Sequence, residues 1–343
     1  MPPAGQLPPA RLRRHVATDA GEIEALAPAW RSLTREARAT PFSSPDWLLP
    51  WWREHGAGYR PRVFTWWRGA RLVGLAPFAW RRTRLGLVGV RELILWGVPT
   101  QPAIPLRGWV DVLAPDAERP LVLEDLRSWL FAPGARWDVL HLLRLPAGSE
   151  TLAAMRAGAR GSWMASLTGT VESSELVLEI PDGARDWAGP LGPKARHNLR
   201  TERRAFERRS GGRVELVVDP EAVASLVAAL RDLLARRWGP AEAYFGRDPR
   251  FGSFLEAALA ASLRGGTGYA HVARDPTGIH ACLVTLATPP LAVPILIGVC
   301  DDDDHRSRSL GKILFQAAIE EAARRGCREF DFLTTGDYKA TFW

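Results

Sequence analysis

The chain has 343 residues, more than the roughly 250–300 at which a single hydrophobic core stops growing, so two domains are expected. Its composition, 46% hydrophobic and 24% charged, excludes a disordered or fibrous chain, and no apolar run reaches the ~18 residues of a membrane-spanning helix. The net charge of +7 rests almost wholly on arginine, with lysine only at Lys194, Lys312 and Lys339, and suits an anionic partner: nucleic acid, a membrane surface or a phosphorylated substrate. The three cysteines (Cys282, Cys300, Cys327) form no CxxC pair or Cys/His cluster, which argues against a disulfide framework and a structural zinc site. The Pro- and Arg-rich start lacks the apolar stretch of a signal peptide, and the chain reads as cytoplasmic with a disordered tail over 1–14.

In chain order, a helical pattern covers Gly21 to Arg38. Ser44 before Pro45 predicts an N-cap with proline at the first helical position, opening a helix through Trp51, Trp52 and His55. Arg62–Trp67 and Leu72–Trp80 read as a hairpin turning near Gly69. A helix over Pro120–Phe131 and a strand over Trp137–Leu145 complete a first unit spanning 15–170. Twelve of the fifteen tryptophans fall in it, and core packing accounts for most of them.

A second α/β unit spans 175–343. It holds a very basic helix over Pro193–Arg209, a strand Val214–Val218, and helices over Pro220–Trp238 and Pro249–Leu263. Strands Gly268–Arg274, Ile279–Ala287 and Leu291–Cys300 follow, the first two joined by the turn Asp275-Pro276-Thr277-Gly278. After an acidic loop come a helix over Leu310–Arg325, Gly326 as its C-cap, and a strand Glu329–Leu333. The order is β-α-α-β-β-β-α-β.

The segment Arg306-Ser307-Arg308-Ser309-Leu310-Gly311-Lys312-Ile313 lies between an apolar strand and an amphipathic helix. Ser309 can cap that helix, and Gly311 leaves the first-turn amides accessible. With the helix dipole and the charges of Arg308 and Lys312 they form an anion site suited to a pyrophosphate. The run Asp301-Asp302-Asp303-Asp304-His305 reads as a solvated loop rather than a metal site, because four consecutive aspartates cannot all point at one ion.

The element order and the Arg308–Gly311 turn resemble the GCN5-related N-acetyltransferase (GNAT) fold, whose acyl-coenzyme-A turn reads R/Q-x-x-G-x-G/A, although Ile313 stands at its last small position. A closer resemblance is to the bacterial CelD/BcsL-type acetyltransferases linked to cellulose and exopolysaccharide synthesis, themselves similar to the tandem-GNAT Fem aminoacyltransferases. It rests on Ser309-Leu310-Gly311 against a Ser-Pro-Gly turn, on Phe330-Asp331-Phe332, and on Tyr338-Lys339 with Trp343 against a Tyr-Lys-x-x-Trp ending. The Lys194–Arg209 helix and the Phe42–Trp52 segment are also similar. The resemblance implies an α/β (α+β) fold of tandem GNAT-like domains, each a mixed sheet flanked by helices. The N-terminal copy is degenerate, because no glycine-containing turn precedes its Pro120–Phe131 helix. The chain stops at Trp343, where such proteins usually continue into a closing strand, so against the resemblance either the last strand is absent or the gene is shortened.

The activity implied is transfer of an acetyl or acyl group from acyl-CoA to an amine or hydroxyl of a saccharide or nucleotide-linked precursor. The strand Leu291–Cys300 would splay from its neighbour so that pantetheine pairs with the freed edge, and Pro294, unable to donate a ladder bond, marks an edge or bulge there. The cofactor-binding residues implied are Arg308, Ser309, Leu310, Gly311, Lys312 and Ile313. A base must accept the nucleophile's proton and an acid can protonate the leaving thiolate. Candidates for the base are Asp331, which alternates with Phe330 and Phe332, then His271, His280 and the acidic loop; Tyr338 is the candidate acid. Strand histidines are more often structural. Lys194, Arg196, Arg200, Arg204 and Lys339 are the candidate substrate contacts, against the alternative of a solvated helix balanced by Glu202 and Glu207. Two other functions compete: a Fem-like transferase using aminoacyl-tRNA, with the basic helix as the RNA contact, and a catalytically silent assembly protein of polysaccharide machinery.

Overall fold

The computed structural model describes residues 11–97, 109–142, 145, 148–160, 176–181, 193–241, 244–300 and 310–333. Two sheets divide the chain. The first has the order β1-β2-β3-β4-β5, formed by Leu12–Ala17, Arg60–Arg68, Arg71–Leu85, Val88–Leu95 and Val139–His141. The second has the order β6-β11-β10-β9-β8-β7: β6 is Val177–Glu179, β7 Arg213–Val217, β8 Gly268–Asp275, β9 Gly278–Thr288, β10 Leu291–Val299 and β11 Glu329–Asp331. The ladders repeat. From β1 to β5 and from β7 to β11 the pairings run antiparallel three times and then parallel once.

The helices repeat as well. Between β1 and β2 lie α1 (Ala20–Ala25), α2 (Ala27–Glu36) and α3 (Pro45–His55), and between the parallel strands β4 and β5 lies α4 (Arg119–Leu130). After α5 (Glu150–Arg160) and α6 (Pro193–Ser210), the second unit places α7 (Val223–Trp238), α8 (Tyr244–Arg247) and α9 (Arg250–Arg264) between β7 and β8. It places α10 (Leu310–Arg324) between the parallel strands β10 and β11. This is the tandem architecture expected, with a mixed sheet in each unit.

Several boundaries differ from expectation. The single helix expected over Gly21–Arg38 is two, because Pro28 cannot donate to the preceding turn and the chain restarts at Ala27. Ser44 does occupy the N-cap position of α3 with Pro45 in the first turn, but its side chain makes no capping bond. Strands β1, β4 and β6 and helices α5 and α8 are additions, and β1 begins at Leu12, inside the expected tail. The strand expected over Trp137–Leu145 shrinks to β5. The first turn expected for α7, Pro220–Ala222, is 3₁₀, with the Asp219 side chain accepting from Glu221 N at 3.0 Å.

One hydrophobic core runs through both units. Trp30 and Trp96 anchor it in the first unit at 6.4 Å between ring centroids, and α4 packs so closely on β3 that a Cβ on Gly74 would meet Val122 at 2.7 Å. In the second unit α7 covers one sheet face at Gly298. α10 covers the other, where Tyr269 Oη donates to Ala318 O at 2.8 Å. The units join along α3 and α9, where Trp47 meets Phe254 edge-on at 4.9 Å.

Candidate active site

Strand β10 organises the site. Its pairing with β11 covers only Leu291↔Glu329 and Ala292↔Phe330, whereas its pairing with β9 continues to Val299↔Ala281. From Val293 to Val299 the side of β10 facing β11 therefore has no ladder partner among the described residues. The β9 register shifts between Pro294 and Leu296, where the ring without an N–H interrupts the ladder, so the expected bulge is present. Cys300 N donates to His280 O at 2.7 Å. Because backbone direction alternates along an antiparallel strand, Gly298 and Leu296 face β9 as Cys300 does. Ile297 and Val299 turn their amides and carbonyls to the open edge.

Helix α10 begins where that edge ends. A Cβ built on Gly311 would lie 3.8 Å from Ile297 Cδ1 and 3.8 Å from Val299 Cγ2, the same two residues whose backbone faces the opening. Leu310 and Ile313 are buried and fasten α10 to the sheet, so what they can offer a ligand is backbone, not side chain. Lys312 is half-buried beside them. The arrangement fits an acyl-CoA: first-turn amides of α10 that have no partner within the helix for its pyrophosphate, and a strand edge without a ladder partner among the described residues for its extended arm.

Asp331 is the first residue past the last β10–β11 pair, at the apex of the splay. Phe330 and Phe332 pack on Phe315 of α10, at 6.4 and 5.3 Å, so Asp331 points to the opposite face, as its alternation predicts. It is buried, and its Oδ1 accepts from Leu333 N at 2.8 Å. Leu333 has φ of 61°, a left-handed conformation that costs a non-glycine residue roughly 1–2 kcal/mol. That turn ends β11 two residues earlier than expected. Such strain gathers at functional sites.

The two histidines lie elsewhere. His271, in β8, is buried beside α6 and α10 with its Nδ1 unpartnered; burial, and then Arg324, Arg203 and Arg325, hold its pKa down at about 4. His280 Nε2 lies 2.8 Å from Asp275 Oδ1 and 3.1 Å from Thr277 Oγ1, closing the β8–β9 hairpin. Neither sits on the open edge of β10.

On α6, Arg203 pairs with Glu207 at 3.3 Å, the balancing contact expected, and with Glu320 of α10 at 3.6 Å, while Phe206 is buried. Arg200 and Arg204 are exposed. The side chains of Lys194 and Arg196, and Arg308, Ser309, Tyr338, Lys339 and the run Asp301–His305, lie outside the described residues. Among the described residues no group of three His, Cys, Asp or Glu is placed to hold a metal.

The turn Pro41–Ser43 of the first unit touches β9 and β10. Behind it, His55 Nε2 lies 3.3 Å from Asp248 Oδ2, both side chains buried. Burial lowers the His55 pKa against the pull of Asp248. For Asp248, burial works upward, but bonds from the backbone and side chain of Arg250 prevail and lower its pKa. Nothing in the local sequence announces this cross-unit pair, because its members are far apart in the chain.

Residues 193–340 match the family described as the acetyltransferase (GNAT) domain. No curated protein matches the chain. Among solved structures it is similar to FemX, with 10% identity over 94% of this chain and 89% of that one and a TM-score of 0.58. It is also similar to a conserved protein of unknown function from Bacteroides thetaiotaomicron, with 10% identity over 96% and 94% and a TM-score of 0.50. At these identities the likeness is one of fold. The C-terminal half of this chain carries an acetyltransferase domain of the GNAT type, set in a two-sheet fold that FemX shares.

Proposed function

We propose that the protein is an acyltransferase that moves an acetyl or acyl group from acyl-CoA to an amine or hydroxyl of a saccharide or nucleotide-linked precursor, in polysaccharide synthesis of the CelD/BcsL kind. The observation that carries the reading is the open edge of β10 ending at Gly311. Ile297 and Val299 would pair with the pantetheine arm, and the first-turn amides of α10 with Lys312 would receive the pyrophosphate. Acyl-CoA supplies the activated thioester. Asp331 lies six residues of β10 back from Val299, about 20 Å, so an extended arm laid along the edge leads from one to the other. There Asp331 takes or relays the proton of the attacking group, and Tyr338 returns one to the leaving thiolate. Arg200 and Arg204, with Lys194, Arg196 and Lys339, hold the acceptor's phosphate. The protein acts in the cytoplasm.

The test is calorimetric titration with acetyl-CoA. A carboxylate at Gly311 would lie against Ile297 and Val299, along the edge itself, without a backbone clash. The parent should bind, and a folded Gly311→Glu variant should not; retained binding in that variant overturns the cofactor site. The basic helix α6 favours a second reading, transfer from an aminoacyl-tRNA. RNA binding with a steep salt dependence, in place of acetyl-CoA binding, would select it.

A further inference from the structure

The hairpin of β3 and β4 ends in a feature that no part of the acyl-transfer reading uses. Between Arg81 and Arg91 the sequence RRTRLGLVGVR carries four arginines and no acidic residue. The ladder opposes Arg82 to Arg91 and Arg84 to Gly89, and between them Thr83 to Val90 and Leu85 to Val88. Directly opposed residues share a sheet face. One face of the hairpin end therefore carries Arg82, Arg84 and Arg91, and the other Thr83, Val90, Leu85 and Val88. The turn is Gly86-Leu87, with Gly86 at φ 60°. At this tip Leu87 is 100% exposed, Leu85 70% and Val88 65%. Arg81 and Arg91 are tied to Glu92 and Asp138, whereas Arg82 and Arg84 are exposed beside the apolar tip.

A strand end with one cationic and one apolar face, capped by three exposed aliphatic side chains, matches a surface that is anionic outside and apolar within. We propose that this hairpin docks the protein on an anionic lipid bilayer. Leu85, Leu87 and Val88 enter the interfacial layer, and Arg82 and Arg84 pair with headgroup phosphates. The turn begins two residues beyond Arg84 and four beyond Arg82, about 7 and 13 Å, a reach that overlaps the 5–10 Å that interfacial segments penetrate. Charge argues against a second copy of the chain as occupant, since a symmetric pairing of tips brings like-charged arginines together. Among the described residues no helix is long and apolar enough to cross a membrane, so the contact proposed is peripheral.

The experiment is co-sedimentation of the full chain with vesicles of phosphatidylcholine alone and of phosphatidylcholine with phosphatidylglycerol. The protein should pellet with the anionic vesicles and stay in solution with the neutral ones, and added salt should weaken the binding. The triple variant Leu85→Ser, Leu87→Ser, Val88→Ser removes only exposed side chains, so its melting temperature should match the parent's, and its bound fraction should fall about tenfold or more. The double variant Arg82→Glu, Arg84→Glu should lose the preference for anionic vesicles. Failure of the parent to pellet with anionic vesicles overturns the proposal. So does unchanged binding by the triple variant, or a dimer in solution that this variant dissociates.

Discussion

The carboxylate of Asp46 sits against the α-carbon of Gly265: a Cβ built on that glycine would lie 2.6 Å from Asp46 Oδ2. Asp46 belongs to α3 in the first unit and Gly265 closes α9 in the second, so the contact crosses the seam between them. Asp46 cannot move aside easily. It is 1% exposed and gripped by Arg31, whose Nε and Nη2 donate to Oδ1 at 2.9 and 2.7 Å. The side-chain bond to Asp46 raises the Arg31 pKa despite its partial burial.

At φ −77°, Gly265 has an ordinary right-handed backbone, where alanine usually stabilises by about 0.4–1 kcal/mol. Here the sign should invert. Gly265→Ala should cost about 1–3 kcal/mol, the range of overpacking at a closed contact, and lower the melting temperature by several degrees. Calorimetric melting of parent and variant measures it. A higher melting temperature would mean that the seam yields at Asp46.

Gly311 should behave in the opposite way. Its added Cβ meets only ordinary contacts at 3.8 Å, so Gly311→Ala should gain about 0.5–1 kcal/mol in the helix. Chemical denaturation would show the gain. A loss would mean that the first turn of α10 is held by contacts other than those to Ile297 and Val299.

Asp331→Asn keeps an oxygen able to accept from Leu333 N, so the strained turn should survive. Without the negative charge, kcat should fall about 100-fold or more, with acetyl-CoA affinity unchanged. Turnover near the parental rate in a folded variant would remove Asp331 from proton transfer.

His271 sets a pH dependence of stability rather than of catalysis. Its folded pKa of about 4 lies below that of an exposed imidazole, so the folded state binds its proton more weakly than the unfolded chain. Stability from this group is complete above the unfolded value near 6.5 and is lost as pH falls towards 4, by about 3 kcal/mol at the limit. His271→Leu should leave stability at pH 8 near parental and flatten the decline between pH 6.5 and 4. Denaturant titrations at each pH give the comparison, and parallel slopes in the two proteins would rule the group out.

The second unit was legible because its signals are local. The Asp275–Gly278 turn, Gly326 at φ 81° and apolar repeats such as that of α7 each sit inside the element they define. The first unit hid more. Strand β4, VGVRELIL, shows no clear alternation, and it forms because Phe78 to Leu85 of β3 offers it a ladder. In the candidate site, Gly311 and Asp331 could be singled out from residue type and spacing. The left-handed Leu333 could not, since leucine is poorly suited to that conformation and only the surrounding packing imposes it. His271 and His280 are the weaker base candidates, since strand histidines are more often structural, and in β8 and β9 burial and the Asp275 contact occupy them.

The seam along α3 and α9 bears on how this protein can be taken apart. Trp47, Phe254, the His55–Asp248 pair and the Asp46–Gly265 contact make the inner wall of each unit the inner wall of the other. Cut at 193, the acetyltransferase half would carry a bare apolar flank where α9 now meets tryptophan. A fragment with that flank would aggregate more readily than the whole chain. In exchange experiments the two flanking helices should open together, at the free energy of global unfolding, as one cooperative block. For shuffling, truncation or fusion, the smallest portable piece of this molecule is both halves.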